Sequence, residues 1–185
     1  MSKKVFTSLF VIAAIIAVSV FAHDFIMARK TGAGNFGGTT WSEEAEVLAE
    51  EICSGCTGNR EKAHAIYEWV IANITYDEDY YPQYQYFDIQ KTLQIREGIC
   101  FDFANLYAAL CRSQGIPCCI LDGRRIGSES DQHVWNRVYY DGTWWNLDVT
   151  YDTSRTAEGK SPYGFRDVGS DFTVPDEDYV ITRIY

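Results

Sequence analysis

Apolar residues return at helical spacing twice in this chain. The first set is Ala63, Ile66, Tyr67, Val70 and Ile71, the i, i+3, i+4, i+7, i+8 rhythm of one helix face. That helix should start near Asn59, with His64 and Glu68 off the stripe and toward solvent. The second set is Phe103, Leu106, Tyr107, Leu110 and Cys111. It predicts a helix that opens near Cys100, just after Gly98, and stops at Gly115 and Pro117. An earlier helix is signalled by Ser42 followed by Glu43 and Glu44, a cap residue and then acids at the positive end of the dipole. It should run to about Cys53 and end near Gly55. Residues 76–90 are polar and aromatic without a period and read as a long loop. Residues 118–121 form a short apolar run closed by Asp122-Gly123, the pattern of a short strand.

Tyr140-Asp141-Gly142-Thr143 places an Asp-Gly turn between two β-rich runs, a strong hairpin signal. A two-residue loop pairs Tyr140 with Thr143. Continued outward, it sets Val138 opposite Trp145, Asn136 opposite Leu147 and Val134 opposite Val149. That mostly apolar face should pack on a core. The other face carries His133, Trp135, Trp144, Asn146 and Asp148. Trp135 then lies opposite Asp148 and His133 opposite Thr150. His133 and Asp148 become diagonal neighbours about 7–8 Å apart at Cα, and a slip of one residue would separate them.

The N-terminal residues read as an address. Lys3 and Lys4 precede an uncharged apolar run over 5–21, and Val20-Phe21-Ala22 offers small residues for cleavage after Ala22. Residues 1–22 are thus expected to be a signal peptide or N-terminal anchor. Either one sends the rest outside the cytoplasmic membrane, secreted or held by that segment. Residues 23–40, which include TGAGNFGGTT, read as a flexible tether, and 41–185 as one domain. Acidic residues outnumber basic ones 26 to 16 for a net charge of -10, which disfavours nucleic acid or an anionic membrane surface as partner. The 46% hydrophobic content excludes a disordered chain.

The helix and the hairpin suggest chemistry together. Cys100 stands at a helix start, where unpaired N–H groups and the dipole favour a thiolate. His133 could exchange its proton and supply an imidazolium, with Asp148 holding its tautomer. This is the nucleophile–base–orienter arrangement of covalent acyl transfer at a carbonyl. The oxyanion would be held by the Cys100 backbone N–H and a second donor. Tyr76, Gln83 and Gln85 are candidates for that donor, and Trp135, beside His133, is a further candidate for contact with substrate. His23 lies at the cleavage point, and Asp131 and Asp152 are rivals to Asp148 that the hairpin pairing disfavours.

The residues 98–104 (GICFDFA), with Leu106 and Gly115-Ile116-Pro117, resemble the nucleophile motif of the transglutaminase-like superfamily. Residues 133–138 (HVWNRV) resemble its His strand and 144–150 (WWNLDVT) its Asp strand. The upstream 66–70 (IYEWV) and 74–77 (ITYD) also fit, so the resemblance spans about 61–152. It implies an α+β, papain-like fold with the Cys helix packed on an antiparallel sheet. It also implies an enzyme that attacks an amide carbonyl through a thiolate, without a cofactor. Some cross-linking members are calcium-activated, but no EF-hand-like acidic loop occurs here.

Cys53-Ser54-Gly55-Cys56 invites a zinc or redox reading. Zinc normally wants a second Cys/His pair, and a redox motif a βαβ unit, so no metal is expected. In an exported protein a disulfide is the plainer expectation, within 53–56 or to Cys111, Cys118 or Cys119. Residues 80–87 (YYPQYQYF) are equally an aromatic lip for substrate or a loop packed over the core. The expected partner is a protein or peptide, cell-wall peptide included. Hydrolysis is preferred to transfer, because a small single domain has no obvious means of keeping water from a thioester. The alternatives are a cross-linking or deamidating transglutaminase and a non-catalytic binding module with the same fold. Oligomeric state is not legible.

Overall fold

The computed structural model describes residues 41–79, 88–128, 130–167 and 179–185. Helix α1, Glu43–Ile52, starts where the Ser42 hydroxyl accepts the Ala45 N–H at 3.3 Å and stops at Cys53. Helix α2, Asn59–Asn73, buries Ala63, Ile66, Tyr67 and Val70, the stripe read from the sequence. Helix α4, Cys100–Ser113, buries Phe103, Leu106, Tyr107, Leu110 and Cys111. These large side chains are fully enclosed, each stabilising by about 1.5–3 kcal/mol relative to exposure. The 76–90 segment is not wholly a loop. It contains strand β1, Thr75–Tyr76, at its start, and helix α3, Ile89–Ile95, opens at its end with Asp88 as its cap. Short strand β2, Glu97–Gly98, pairs parallel with β1, Tyr76 facing Gly98.

The main sheet is antiparallel. Its strands are β3, Cys118–Arg125; β4, Gln132–Tyr140; β5, Thr143–Leu147; β6, Arg166–Asp167; and β7, Tyr179–Ile184, in the order β6-β5-β4-β3-β7. The β4–β5 hairpin keeps the predicted register, Tyr140 with Thr143, Val138 with Trp145 and Asn136 with Leu147. Asp141 and Gly142 both take positive φ, 51° and 80°, as a type I′ turn demands. The predicted pairing does not continue to Val149. Strand β5 ends at Leu147 and helix α5, Val149–Ala157, begins at once with Asp148 as its N-cap. An Asp followed by residues with side-chain oxygens competes with the ladder by capping the next turn. Asp122-Gly123 does not end β3 either. The strand runs on to Arg125, with a register shift against β7 at that dipeptide.

Helix α4 is the hub of the fold. It packs on β3 and β4 and is flanked by α1, α2, α3 and α5. The fully buried Asn136 fixes it to the sheet, its Nδ2 donating to the Ala104 carbonyl at 2.9 Å and the Cys119 carbonyl at 3.3 Å. Arg112 closes the far end, its Nε donating to the Cys118 carbonyl at 2.9 Å. All six cysteines are free, contrary to the expectation of a disulfide. Cys53 and Cys56 flank a turn in which the Cys56 N–H donates to the Cys53 carbonyl at 2.9 Å. Burial, followed by the neighbouring Cys56, pushes the Cys53 thiol up to about 11, the reverse of what a reactive redox thiol needs.

Candidate active site

Cys100 is the first residue of α4 and half-buried. Three local features set it there. Ile99 is extended, with φ −102° and ψ −179°, and its N–H donates to Asp102 Oδ2 at 2.9 Å. The Asp77 N–H donates to the Gly98 carbonyl at 2.9 Å, which ties the approach to β1. Gly98 lies so close to α4 that an added Cβ would stand 2.5 Å from Asp102 Cβ. Gly98→Ala should therefore cost about 1–3 kcal/mol, the range for overpacking, and disturb the turn carrying the sulfur. A melting curve with an unchanged midpoint would contradict that contact. Burial, with the Asp77 charge adding to it, raises the Asp102 carboxyl to about 6 despite the Ile99 N–H.

His133 and Asp148 meet although the strand pairing that predicted their meeting is absent. His133 Nε2 lies 2.6 Å from Asp148 Oδ2. The other oxygen, Oδ1, accepts the Tyr151 N–H at 3.0 Å, the capping bond of α5. One carboxylate thus starts a helix and holds an imidazole. The Asp148 side chain is 3% exposed and that of His133 17%. Burial alone would lower the imidazole pKa. The Asp148 charge and hydrogen bond, joined by a hydrogen bond with the Cys100 side chain, outweigh it and raise the pKa to about 10. With Nε2 committed to Asp148, Nδ1 is the ring nitrogen left for Cys100. Cys100 is thus close enough to act on the imidazole that Asp148 holds, and the three residues share one neighbourhood.

This arrangement has a pH signature. A histidine whose folded pKa is raised contributes stability that is complete below the unfolded value, about 6.5, and is lost as pH climbs through about 10. The melting midpoint of the wild type should fall across that window relative to His133→Gln, in which the contribution is absent. Parallel midpoint curves for the two proteins between pH 6 and 10.5 would refute the ion pair.

Tyr76 reaches the same neighbourhood. Its pKa is raised first by burial and then by the nearby charge of Cys100, while the residue is 38% exposed. Gln83, Gln85 and the rest of the aromatic 80–87 stretch lie outside the described residues. Trp135 is buried beside His133, its ring near-parallel to the imidazole at 6.0 Å between centroids. The rival acids are engaged elsewhere. Asp131 pairs with Arg125 at 2.9 Å. Asp152 accepts from the Tyr67 hydroxyl at 2.7 Å and from the Tyr163 and Gly164 N–H groups.

His64 does not face solvent as its place off the helical stripe suggested. It is stacked on Phe165 at 3.9 Å and lies 3.2 Å from the Tyr140 hydroxyl, far along β4 from His133. Burial lowers its pKa. Phe165 comes from a loop that no helical period could have located. Tyr179, whose ring lies 5.8 Å from that of His133, was likewise invisible, because no sequence signal linked β7 to the site. Among the described residues no group of three His, Cys, Asp or Glu stands where it could hold a metal ion.

The family model of the transglutaminase-like superfamily matches residues 46–149, more than half of the chain. The kyphoscoliosis peptidase of Mus musculus is 25% identical over 129 residues, 64% of this chain and 20% of that protein. Its Homo sapiens counterpart is 28% identical over 117 residues, 57% of this chain and 18% of that protein. The chain thus spans about a fifth of the length of these curated relatives. A crystal structure of a candidate cysteine protease from Cytophaga hutchinsonii superposes with a TM-score of 0.53 at 25% identity, covering 69% of this chain and 42% of that one. The periplasmic domain of TgpA from Pseudomonas aeruginosa shares the fold, with a TM-score of 0.52 at 18% identity over 65% of this chain and 47% of that one.

Proposed function

The chain belongs to the transglutaminase-like superfamily, and from that premise we propose that it is a cysteine enzyme that hydrolyses amide bonds in proteins or peptides. The observation that carries this reading is the 2.6 Å contact of His133 with Asp148, on a ring whose charge the neighbouring Cys100 also favours. The Cys100 thiolate adds to the amide carbonyl carbon, and the carbonyl π pair moves onto oxygen. The Cys100 N–H at the helix start and the Tyr76 hydroxyl are suited to receive that oxyanion. Collapse breaks the C–N bond, and His133 gives its Nδ1 proton to the departing nitrogen. A thioester and a free amine result. His133, now neutral, takes a proton from water, whose oxygen attacks the thioester. The acid leaves and the thiolate–imidazolium pair returns. The Nε2 proton stays on the ring, donated to Asp148 Oδ2 throughout, so Nδ1 is the nitrogen that cycles.

Two relatives that carry the name peptidase support hydrolysis over transfer. The proposed steps use only side chains of this chain and the Cys100 backbone N–H. Peptide substrates, cell-wall peptide included, suit a half-buried sulfur beside an exposed tyrosine. The charged start followed by an apolar run over 5–21 supports action outside the cytoplasm. No helix among the described residues is long and apolar enough to cross a membrane.

Incubation of the protein with peptide libraries, with and without an added primary amine, tests the reading by mass spectrometry. New termini in both samples support hydrolysis. Amine adducts or one-dalton deamidation would move the assignment to transfer or deamidation. Unchanged peptides, with Cys100 alkylated only above pH ~8, would leave a binding module.

A further inference from the structure

Three rings meet, the imidazole of His133, the indole of Trp135 and the phenol of Tyr179. Trp135 lies 6.0 Å from the imidazole at an interplanar angle of 16°, and Tyr179 lies 5.8 Å from it at 51°. Trp135 and Tyr179 meet each other edge-on at 6.3 Å and 65°. With Leu121 they form a small apolar cluster separate from the main core. This cluster exists because residue 123 has no side chain. A Cβ there would stand 2.5 Å from Trp135 Cη2 and 2.7 Å from Cζ3. The indole therefore lies across the backbone of β3.

Tyr179 is itself held on three sides. Strand β7 pairs it with Arg125. Its hydroxyl donates to Asp131 Oδ1 at 3.1 Å, and the Arg125 guanidinium sits 5.6 Å from its ring centre. Arg125 and Asp131 are in turn joined at 2.9 Å. The ring is thus fixed by a clamp that does not touch the sulfur. Tyr179 also lies beyond the 46–149 stretch that the family model matches.

We propose that Tyr179 is a positioning residue, which with Trp135 walls the imidazole of His133 so that Nδ1 stays aimed at Cys100, and that strand β7 is therefore part of the working site. This rests on the Cys100–His133–Asp148 reading. Asp148 fixes one point of the ring, its Nε2, and leaves the ring free to pivot about that bond. Aromatic rings packed beside it restrict the pivot, because neighbouring rings hold one another in offset or tilted placements. The charged and titratable groups around the imidazole are Cys100 on α4 and Asp148 at the start of α5. Arg125 on β3 and Asp131 before β4 act through the phenol.

The test is the rate of Cys100 alkylation by iodoacetamide between pH 4 and 10, read on the Cys100 peptide by mass spectrometry, in the full chain. Tyr179→Ala should label about tenfold more slowly at pH 6, its acid limb moved up by about one pH unit, because a tilted imidazolium stabilises the thiolate less. Tyr179→Phe keeps the ring and should restore the wild-type profile. If Tyr179→Ala fails to fold, Tyr179→Leu, which keeps apolar bulk without a planar face, should show the same shift. A wild-type profile in the Ala or Leu variant overturns the proposal, and so does a Phe variant as slow as these. His133→Ala separates the two readings. If it too keeps the wild-type profile, the Cys–His pair itself is wrong, whatever Tyr179 does.

Discussion

Cys100→Ser should leave a folded protein with turnover reduced on the order of 10³- to 10⁶-fold, the range seen when a covalent nucleophile is disabled. The exchange of sulfur for oxygen is nearly isosteric. The Ile99 N–H to Asp102 bond does not involve the thiol, and Cys100 is only partly buried where it packs against the core, so the melting midpoint should shift by no more than about 0.5 kcal/mol of stability allows. The loss is chemical. An alkoxide is far costlier to form than a thiolate, and a ring organised as imidazolium by Asp148 is a poor base for a hydroxyl. Peptide hydrolysis followed by mass spectrometry, beside a thermal melt, decides the matter. Retained turnover removes Cys100 from the mechanism, and a collapsed melt would show that the sulfur is a core group instead.

Asp148→Asn is the sharper experiment, because the structure gives the carboxylate two separate tasks. Oδ2 receives the His133 Nε2 proton and Oδ1 receives the Tyr151 N–H. An asparagine has a single acceptor oxygen. If that oxygen caps α5, its NH₂ donates to Nε2, and the ring must carry its proton on Nδ1, the nitrogen that should face the sulfur as a base. If the oxygen turns to His133, the helix loses its cap. Asn caps helices as well as Asp does, so capping should win, and the rate should fall by about 10²- to 10⁴-fold through the wrong tautomer. The fold should survive with a lower midpoint, since the imidazolium also loses its counter-charge. A rate within a factor of three of the wild type would mean that another acid orients the ring. Asp131 and Asp152 are bound to Arg125 and to Tyr67, Tyr163 and Gly164, so neither is free to take over.

The helices that carry the site were legible because their stripes are local. Ala63 to Ile71 and Phe103 to Cys111 each report one face, and Gly98, Gly115 and Pro117 mark the ends of α4. The Asp-Gly turn fixed the hairpin register as far as Leu147. Beyond that point the same logic gave the right partners by the wrong route. His133 and Asp148 touch because Asp148 leaves the strand to cap α5, and a ladder extrapolated from a turn contains no term for a competing cap. Asp122-Gly123 misled for a related reason. A dipeptide that usually marks a turn instead makes room for the Trp135 indole inside a strand, a demand set by a residue twelve positions away. His64 and Tyr179 show the limit of periodicity, because Phe165 and β7 reach them from distant parts of the chain. Such contacts leave no trace in a window of a dozen residues.

The hub helix α4 carries one more implication. Secondary elements press on it from the sheet side and from four flanking helices, and its first turn is tied back to β1 and β2 through Gly98. The sulfur therefore has a fixed address. Altering what the molecule accepts cannot proceed by shifting the nucleophile toward a new ligand. It must proceed by rebuilding what surrounds the sulfur, beginning with the half-exposed Tyr76 of β1.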